Sequence, residues 1–556
     1  MNKKPIFSIL QKRKWSAYQK FCQRLQKKWR LRKWHTYSQK EQTVWLQRLH
    51  RFEHQLQSLG IAATFSLTLL GADLQAQTPV PNGSEFQVNT YTEDYQSIPR
   101  VAMDSDGDFV VVWHSEYQDG SEYGIYAQRY NRDGSPNGSE FQVNTYTTGY
   151  QNYPSVAMDS DGDFVIAWQS EYQDGSDYGI YAQRYNSDGS PNGDEFQVNT
   201  FTEDYQNFPS VGMDSDGDFV ISWSSYYQDG SYDGIYAQRY NSDGSPNGGE
   251  FQVNTFTNDN QSFPKLAMDN DGDFVISWFS YEQDGDSQGI FAQRYNNDGS
   301  RNGDEFQVNS YTTETQIFHS IDMDSDGDFV IAWHSYEQDG DSYGIYAQRY
   351  NSDGSPNGNE FQVNNYTTSY QGYPSVGMDS DGDFVIAWLS DGDENNYEVY
   401  AQHYNSDGSP NGSNFQVNTY TDGYQVLPSV GMDNDGNFVV AWHSNEQDGD
   451  SYGIYAQRYG DFGVGIEDSF LEKNPISFYP NPATSHLYFD FNKETISFNS
   501  SIEVQIYNPL GKLVLTSMVE RENPELSIEG LTSGMYLVEM RVEGGWIGSE
   551  KLMIEK

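Results

Sequence analysis

Pro154-Ser-Val-Ala-Met158, Asp159-Ser-Asp-Gly162 and Asp163-Phe-Val-Ile-Ala-Trp168 follow one another without a gap. Two short β-prone runs flank a stretch of Asp, Ser and Gly, the composition of a tight turn, so the segment predicts an antiparallel hairpin. In the second run Phe164, Ile166 and Trp168 point one way and Val165 and Ala167 the other. A strand apolar on both faces belongs between two layers, not at a wet surface. Downstream, Gly179-Ile-Tyr-Ala-Gln-Arg-Tyr185 reads as a third strand, Asn186 to Gly193 as a second turn, and Phe196-Gln-Val-Asn199 as a fourth strand.

The whole unit recurs. Phe-Gln-Val-Asn begins at Phe86, Phe141, Phe196, Phe251, Phe306, Phe361 and Phe415, a period of 55 residues with one residue lost in the sixth interval. The Trp keeps step at Trp113, Trp168, Trp223, Trp278, Trp333, Trp388 and Trp442. Seven copies of a four-stranded unit predict an all-β fold, a seven-bladed β-propeller, with each Trp packed between blades. The Phe86 segment precedes the first Pro-led strand, and the copy ending at Tyr459 lacks a fourth strand. The N-terminal strand therefore closes the last blade and removes two free sheet edges.

The ends differ from the middle. Residues 1–77 hold 15 of the 32 Lys and Arg and three of the 81 acidic side chains; the remainder carries 17 basic and 78 acidic groups, a net charge of −61. Such a surface repels nucleic acid and anionic membrane. Residues 1–77 read as an extended basic region plus a signal peptide: Ile61 to Leu70 is its apolar run, too short to span a membrane comfortably, and cleavage is expected near Ala76 or Gln77. Cys22 is the one cysteine, so the mature chain has no disulfide and no transmembrane span is expected in it. The propeller occupies 78–459, a Gly-rich linker 460–475, and a second domain 476–556.

Three sets of residues are candidates for chemistry. Asp104, Asp106 and Asp108 recur as Asp159, Asp161 and Asp163, then Asp214, Asp216 and Asp218. The series continues with Asp324, Asp326 and Asp328, and with Asp379, Asp381 and Asp383. Carboxylates at alternate positions of a tight loop suit calcium, although Asp-Gly also serves a hairpin for backbone reasons alone. Calcium is the one cofactor considered.

The second set lies in the loops between second and third strands: Tyr117, Tyr172, Tyr227, Tyr281 and Tyr336, with Asp391, Asp393 and Tyr397 in the irregular sixth copy. Tyr beside Asp, Asn and Gln suits a glycan or a protein ligand. The third set is the repeated Arg129, Arg184, Arg239, Arg294, Arg349 and Arg458, replaced by His403 in the sixth copy and expected to pair with carboxylates. His114, His319, His334 and His443 are scattered, with no spacing of base, acid and orienting partner, so no catalytic residue is assigned.

The strand rhythm resembles YVTN-type propeller blades, which implies fold and not activity. The C-terminal region carries Phe478-Tyr479-Pro480-Asn481-Pro482, then Gly511 after Asn508-Pro-Leu, then Gly534-Met-Tyr536, and ends Lys551-Leu-Met-Ile-Glu-Lys556. These motifs resemble the type A sorting domain of the type IX secretion system of Bacteroidota, a small Ig-like β-sandwich. The resemblance implies contact with that secretion machinery, export across both membranes, and release or attachment at the cell surface. The expectation is a secreted, non-enzymatic binding or adhesion module. The alternative is an extracellular polysaccharide-active hydrolase or lyase on the same scaffold.

Overall fold

The structure, a computed structural model, describes residues 79–391, 396–460, 476–479, 483–491, 502–507, 513–519, 525–528, 530–531, 534–542 and 545–554. The signal region, nearly all of the linker, Asp393, Pro480, Asn481, Pro482 and Gly511 lie outside these. The described residues contain no helix. The chain divides into two units, residues 1–462 and 463–556.

The first unit contains seven four-stranded antiparallel sheets. In the first blade, β2 (Gln96–Met103), β3 (Phe109–Glu116), β4 (Tyr123–Tyr130) and β5 (Phe141–Gln142) pair in order. The seventh joins β26 (Gln425–Met432), β27 (Phe438–Asn445), β28 (Tyr452–Tyr459) and, from the other end of the chain, β1 (Phe86–Gln87). Phe86 lies opposite Ala456 and Gln87 opposite Tyr455, so the predicted closure is present. Pro81 bridges Tyr459 on the same edge.

The turn between first and second strands is built by its leading Asp. Asp104 Oδ1 accepts the backbone N–H groups of Asp106 and Asp108, both at 2.9 Å, and Gly107 takes a φ of 91°, which a side chain would disfavour. The Asn of Phe-Gln-Val-Asn is buried for a similar reason. Asn144 Oδ1 accepts the N–H of Ile125 at 2.7 Å while its Nδ2 donates to the carbonyl of Tyr146 at 2.8 Å. A two-residue outer strand is thereby anchored by a side-chain amide as well as by its ladder.

Blades pack face to face. Phe109, Val111 and Trp113 lie against Val439 and Ala441 of the seventh blade, while Val110 and Val112 lie against Phe164, Ile166 and Trp168 of the second. All seven Trp are buried, at 0–1 % exposure. The Trp is core, as its strand pattern predicts; removing one such ring costs about 3–5 kcal/mol in typical cores.

The repeated Arg side chains do something other than expected. Arg184 Nη1 donates to the carbonyl of Ser242 at 2.6 Å and Arg349 Nη1 to that of Ser406 at 2.6 Å, in each case reaching the turn of the following blade. Arg458 reaches the carbonyl of Asp133 in the first blade. The partners are backbone carbonyls because an Asn-Xaa-Asp-Gly turn directs them outward, whereas the nearby carboxylate of Asp243 is occupied by the N–H and hydroxyl of Ser245. His403 stands before the one copy without that turn, where the sequence reads Gly460-Asp-Phe-Gly463.

In the second unit, one sheet joins β29 (Ile476–Tyr479), β30 (His486–Phe491) and β33 (Glu525–Ser527). The other joins β32 (Leu513–Val519), β31 (Ile502–Tyr507), β34 (Gly534–Val542) and β35 (Gly545–Ile554). Both contribute to one buried cluster that includes Leu487, Phe489, Val504, Ile506 and Val538. Gly534 and Tyr536 fall in β34, Lys551 in β35 and Tyr479 at the end of β29.

Candidate functional site: the tyrosine loops and the axial strands

The loop after the Trp strand is closed by its own hydrogen bonds. The N–H of Tyr117 donates to the carbonyl of Glu122 at 2.7 Å, that of Gly120 to the carbonyl of Tyr117 at 2.9 Å, and that of Ser121 to Asp119 Oδ1 at 3.0 Å. This geometry holds Tyr117, Tyr172 and Tyr227 at φ of 57°, 62° and 58°, a left-handed conformation that costs a Cβ-bearing residue about 1–2 kcal/mol. Their rings nevertheless stand 49 %, 54 % and 48 % exposed. Glu122 holds the Tyr117 hydroxyl above the usual phenol range and Glu171 does the same for Tyr172, so both are neutral donors at physiological pH.

The five predicted tyrosines are not equivalent. In blades four, five and seven the left-handed position is Glu282, Glu337 or Glu446. Tyr281 and Tyr336 fall one residue earlier, on strand ends opposite Gln288 and Tyr343. Tyr336 packs on Tyr343, with centroids 4.9 Å apart. Asp391 pairs with Tyr397, whose ring lies 5.4 Å from Tyr424. The most exposed of the left-handed loop positions with an aromatic ring are on blades one to three, while Tyr281, Tyr366 and Tyr424 are exposed elsewhere on the ring. Sequence reading passed over Tyr232, which is 51 % exposed and has its ring 6.2 Å from Tyr227.

The Asp-rich turns spread their carboxylates. The leading group, as in Asp104, Asp159, Asp214, Asp324 and Asp379, folds onto the backbone amides of its own turn. Burial first, with a neighbouring carboxylate second, pushes Asp104 up to about 6 and Asp379 up to about 8. Asp106, Asp161, Asp216, Asp326 and Asp381 are exposed. The third carboxylate accepts an amide from the turn between third and fourth strands: Asp108 from Arg132, Asp163 from Ser187, Asp218 from Ser242, Asp328 from Ser352 and Asp383 from Ser406. Among the described residues no group of three or more His, Cys, Asp or Glu is placed to hold a metal ion.

The first strand of every blade lines the axis and carries a bulge, such as the register shift between Ser97 and Arg100. At it sit Ile98, Tyr153, Phe208, Phe263, Phe318, Tyr373 and Leu427, at φ between 48° and 56°. The aromatic members form a chain: Tyr153 to Phe208 at 5.0 Å, Phe208 to Phe263 at 3.7 Å, Phe263 to Phe318 at 5.6 Å and Phe318 to Tyr373 at 4.7 Å.

In three blades the variable residue after the Trp serves the bulge of the next blade. His443 Nδ1, Gln169 Oε1 and Ser224 Oγ accept the amide N–H groups of Ile98, Phe208 and Phe263, at 3.3, 3.0 and 3.1 Å. Burial lowers His114, His334 and His443 to about 3, which keeps each imidazole neutral.

Two residues beyond the bulge, blades two, three, five, six and seven carry Ser155, Ser210, Ser320, Ser375 and Ser429. Each hydroxyl accepts an amide N–H of the next blade, as Ser155 does from Val211 at 3.1 Å and Ser210 from Leu266 at 3.0 Å. Blades one and four have Arg100 and Lys265 instead. Blade five has His319 in place of the usual Pro and Asp322 in place of Ala or Gly. Comparison of the copies exposes all four, yet none stood among the predicted site residues.

The fold resembles several solved structures at low similarity. One is a protein of unknown function from Dyadobacter fermentans, 10 % identical, covering 69 % of this chain and 98 % of that one at a TM-score of 0.40. The β-propeller domain of the Trilobed protease from Pyrococcus furiosus is 9 % identical over 68 % of this chain and 98 % of its own, at 0.40. An endo-arabinase from Bacteroides thetaiotaomicron is 16 % identical over 49 % and 95 %, at 0.27. At these TM-scores none of the three informs the function. No curated protein matches the chain. Residues 477–555 match the secretion system C-terminal sorting domain, so this end of the chain belongs to the type IX sorting family and the ring is exported to the outer surface or beyond it.

Proposed function

We propose that the exported ring is a non-enzymatic recognition module that holds a glycan on the tyrosine-bearing loops of blades one to three. The observation that carries this reading is Tyr117, Tyr172 and Tyr227 standing exposed at left-handed backbone positions on three successive blades. The left-handed position belongs to the turn, since Glu282, Glu337 and Glu446 hold it in other blades; what is particular to blades one to three is a half-exposed phenol ring placed there. A phenol ring offers its face to the apolar side of a sugar and its hydroxyl as a donor, and the carboxylates of the adjacent Asp119 and Glu122 offer acceptors.

The secreted full-length protein, applied to a glycan array and in parallel to chromogenic glycosides, tests the reading. Retention of a defined glycan class without release of chromophore is expected. Turnover of a glycoside would replace the proposal with the hydrolase alternative, and a blank array would remove it.

A further inference from the structure

We infer that the axial channel of the propeller is an oxyanion-binding site, with Arg100 and Lys265 as its two cationic arms. Both residues occupy the register position that holds Ser in the other five blades. That Ser joins neighbouring blades through a hydrogen bond to an amide, so each cation replaces a structural contact rather than adding to one. Blades one and four lie on opposite sides of a seven-membered ring, yet the charge of Arg100 is felt at Lys265. Both lie two residues beyond the bulge on strands that line the axis, so register places the two cations around one bore.

No carboxylate answers them. The carbonyl of Lys265 accepts the Ser277 hydroxyl at 3.4 Å, while its ammonium group makes no hydrogen bond or ion pair among the described residues. Arg100 Nη1 donates to the carbonyl of its neighbour Pro99 at 2.8 Å. Beyond burial, Tyr153 acts on Arg100, and Arg100 acts on Lys265. His319, on the blade after Lys265, is buried at 2 % exposure, and burial lowers it to about 3, which keeps it neutral. In a chain whose propeller and tail together carry −61, a pair of mutually repelling, uncompensated cations in a confined channel is a receptor for negative charge. Arg offers a planar fork to two oxygens and Lys a point charge to a third, which is the donor set for a carboxylate, a sulfate or a phosphate group.

The oxyanion has two possible sources, a free inorganic ion or an acidic sugar, and one experiment separates them. The full-length protein is titrated with sulfate, inorganic phosphate, glucuronate and uncharged glucose at constant ionic strength, reading calorimetric heat and melting temperature. Saturable binding and a raised melting temperature are expected for at least one oxyanion, with glucose inert. Tighter binding of glucuronate than of sulfate or phosphate assigns the acidic sugar, and the reverse order a free ion.

Arg100→Ser/Lys265→Ser restores the repeat's own residue at both positions. It is expected to lose at least about tenfold in affinity while melting higher than wild type without ligand. Should that variant not fold, Lys265→Gln provides the same comparison. Equal titrations for wild type and variant, or no response of wild type to any of the three anions, would overturn the site.

Discussion

The side-chain oxygen of Asn89 accepts the backbone N–H of Ile454 at 2.7 Å although 365 residues separate them. Together with the ladder from Phe86 to Ala456, it ties β1 to the last blade. Deleting Phe86 to Asn89 exposes the edge of β28 and removes those bonds, so we expect a large fall in melting temperature. Asn89→Ala alone should cost about 1–3 kcal/mol, the penalty of stranding a buried amide. Unfolding of both variants followed by circular dichroism measures this.

Arg349 and His403 occupy the same register in neighbouring blades and predict opposite outcomes. Arg349→Ala removes a donor to the carbonyl of Ser406 and should lose about 1–2 kcal/mol. His403→Arg should gain nothing, because the following copy lacks the Asn-Xaa-Asp-Gly sequence that receives the Arg elsewhere. Denaturant midpoints for the two variants check the pair.

Tyr117, Tyr172 and Tyr227 hold a conformation that glycine adopts freely. Tyr→Gly at all three positions should leave the melting temperature unchanged or higher while glycan retention falls by at least about tenfold. A fall in both would make these rings part of the fold rather than of a contact surface.

His334 gives a pH signature. Its imidazole faces the rings of Phe318, Tyr343, Tyr370 and Tyr373, and both nitrogens lack partners among the described residues. Burial lowers it to about 3, below its ordinary 6.5. Between those values the unfolded chain binds a proton that the folded chain refuses, so this residue makes wild type less stable as pH falls below 6.5. The fourth blade already carries Phe279 at this register. His334→Phe should therefore gain stability over wild type by about 2 kcal/mol more at pH 5 than at pH 8, read from denaturant midpoints at each pH.

Removing residues 477–556 deletes the sorting domain and leaves the ring sequence whole. The truncated protein should accumulate inside the cell envelope, where fractionation and immunoblotting of cells and medium will find it, while the full chain reaches the surface or the medium.

The blade, the number of blades and their closure were legible because each depends on period and composition. Phe164-Val-Ile-Ala-Trp168 can only be a strand covered on both sides, and a surplus Phe86 strand matches a missing one after Tyr459. Contacts that depend on direction were not legible. The Arg series meets carbonyls, not carboxylates, because a left-handed Gly such as Gly189 turns the peptide oxygens of its loop toward the neighbouring blade. Tyr281 looked equivalent to Tyr227 until the backbone showed it one residue out of step. Arg100 and Lys265 went unremarked because attention to variable loops passed over variation inside a strand, although the Ser of the other five copies marked both positions.

The chain joins and leaves the circle on the outer edge of a single blade, at Pro81 and Tyr459. Any tether, whether it precedes the first strand or continues into the tail, is thus fastened to one point on the circumference. A single seam carries both ends of the ring, and unravelling from either end begins at the same blade.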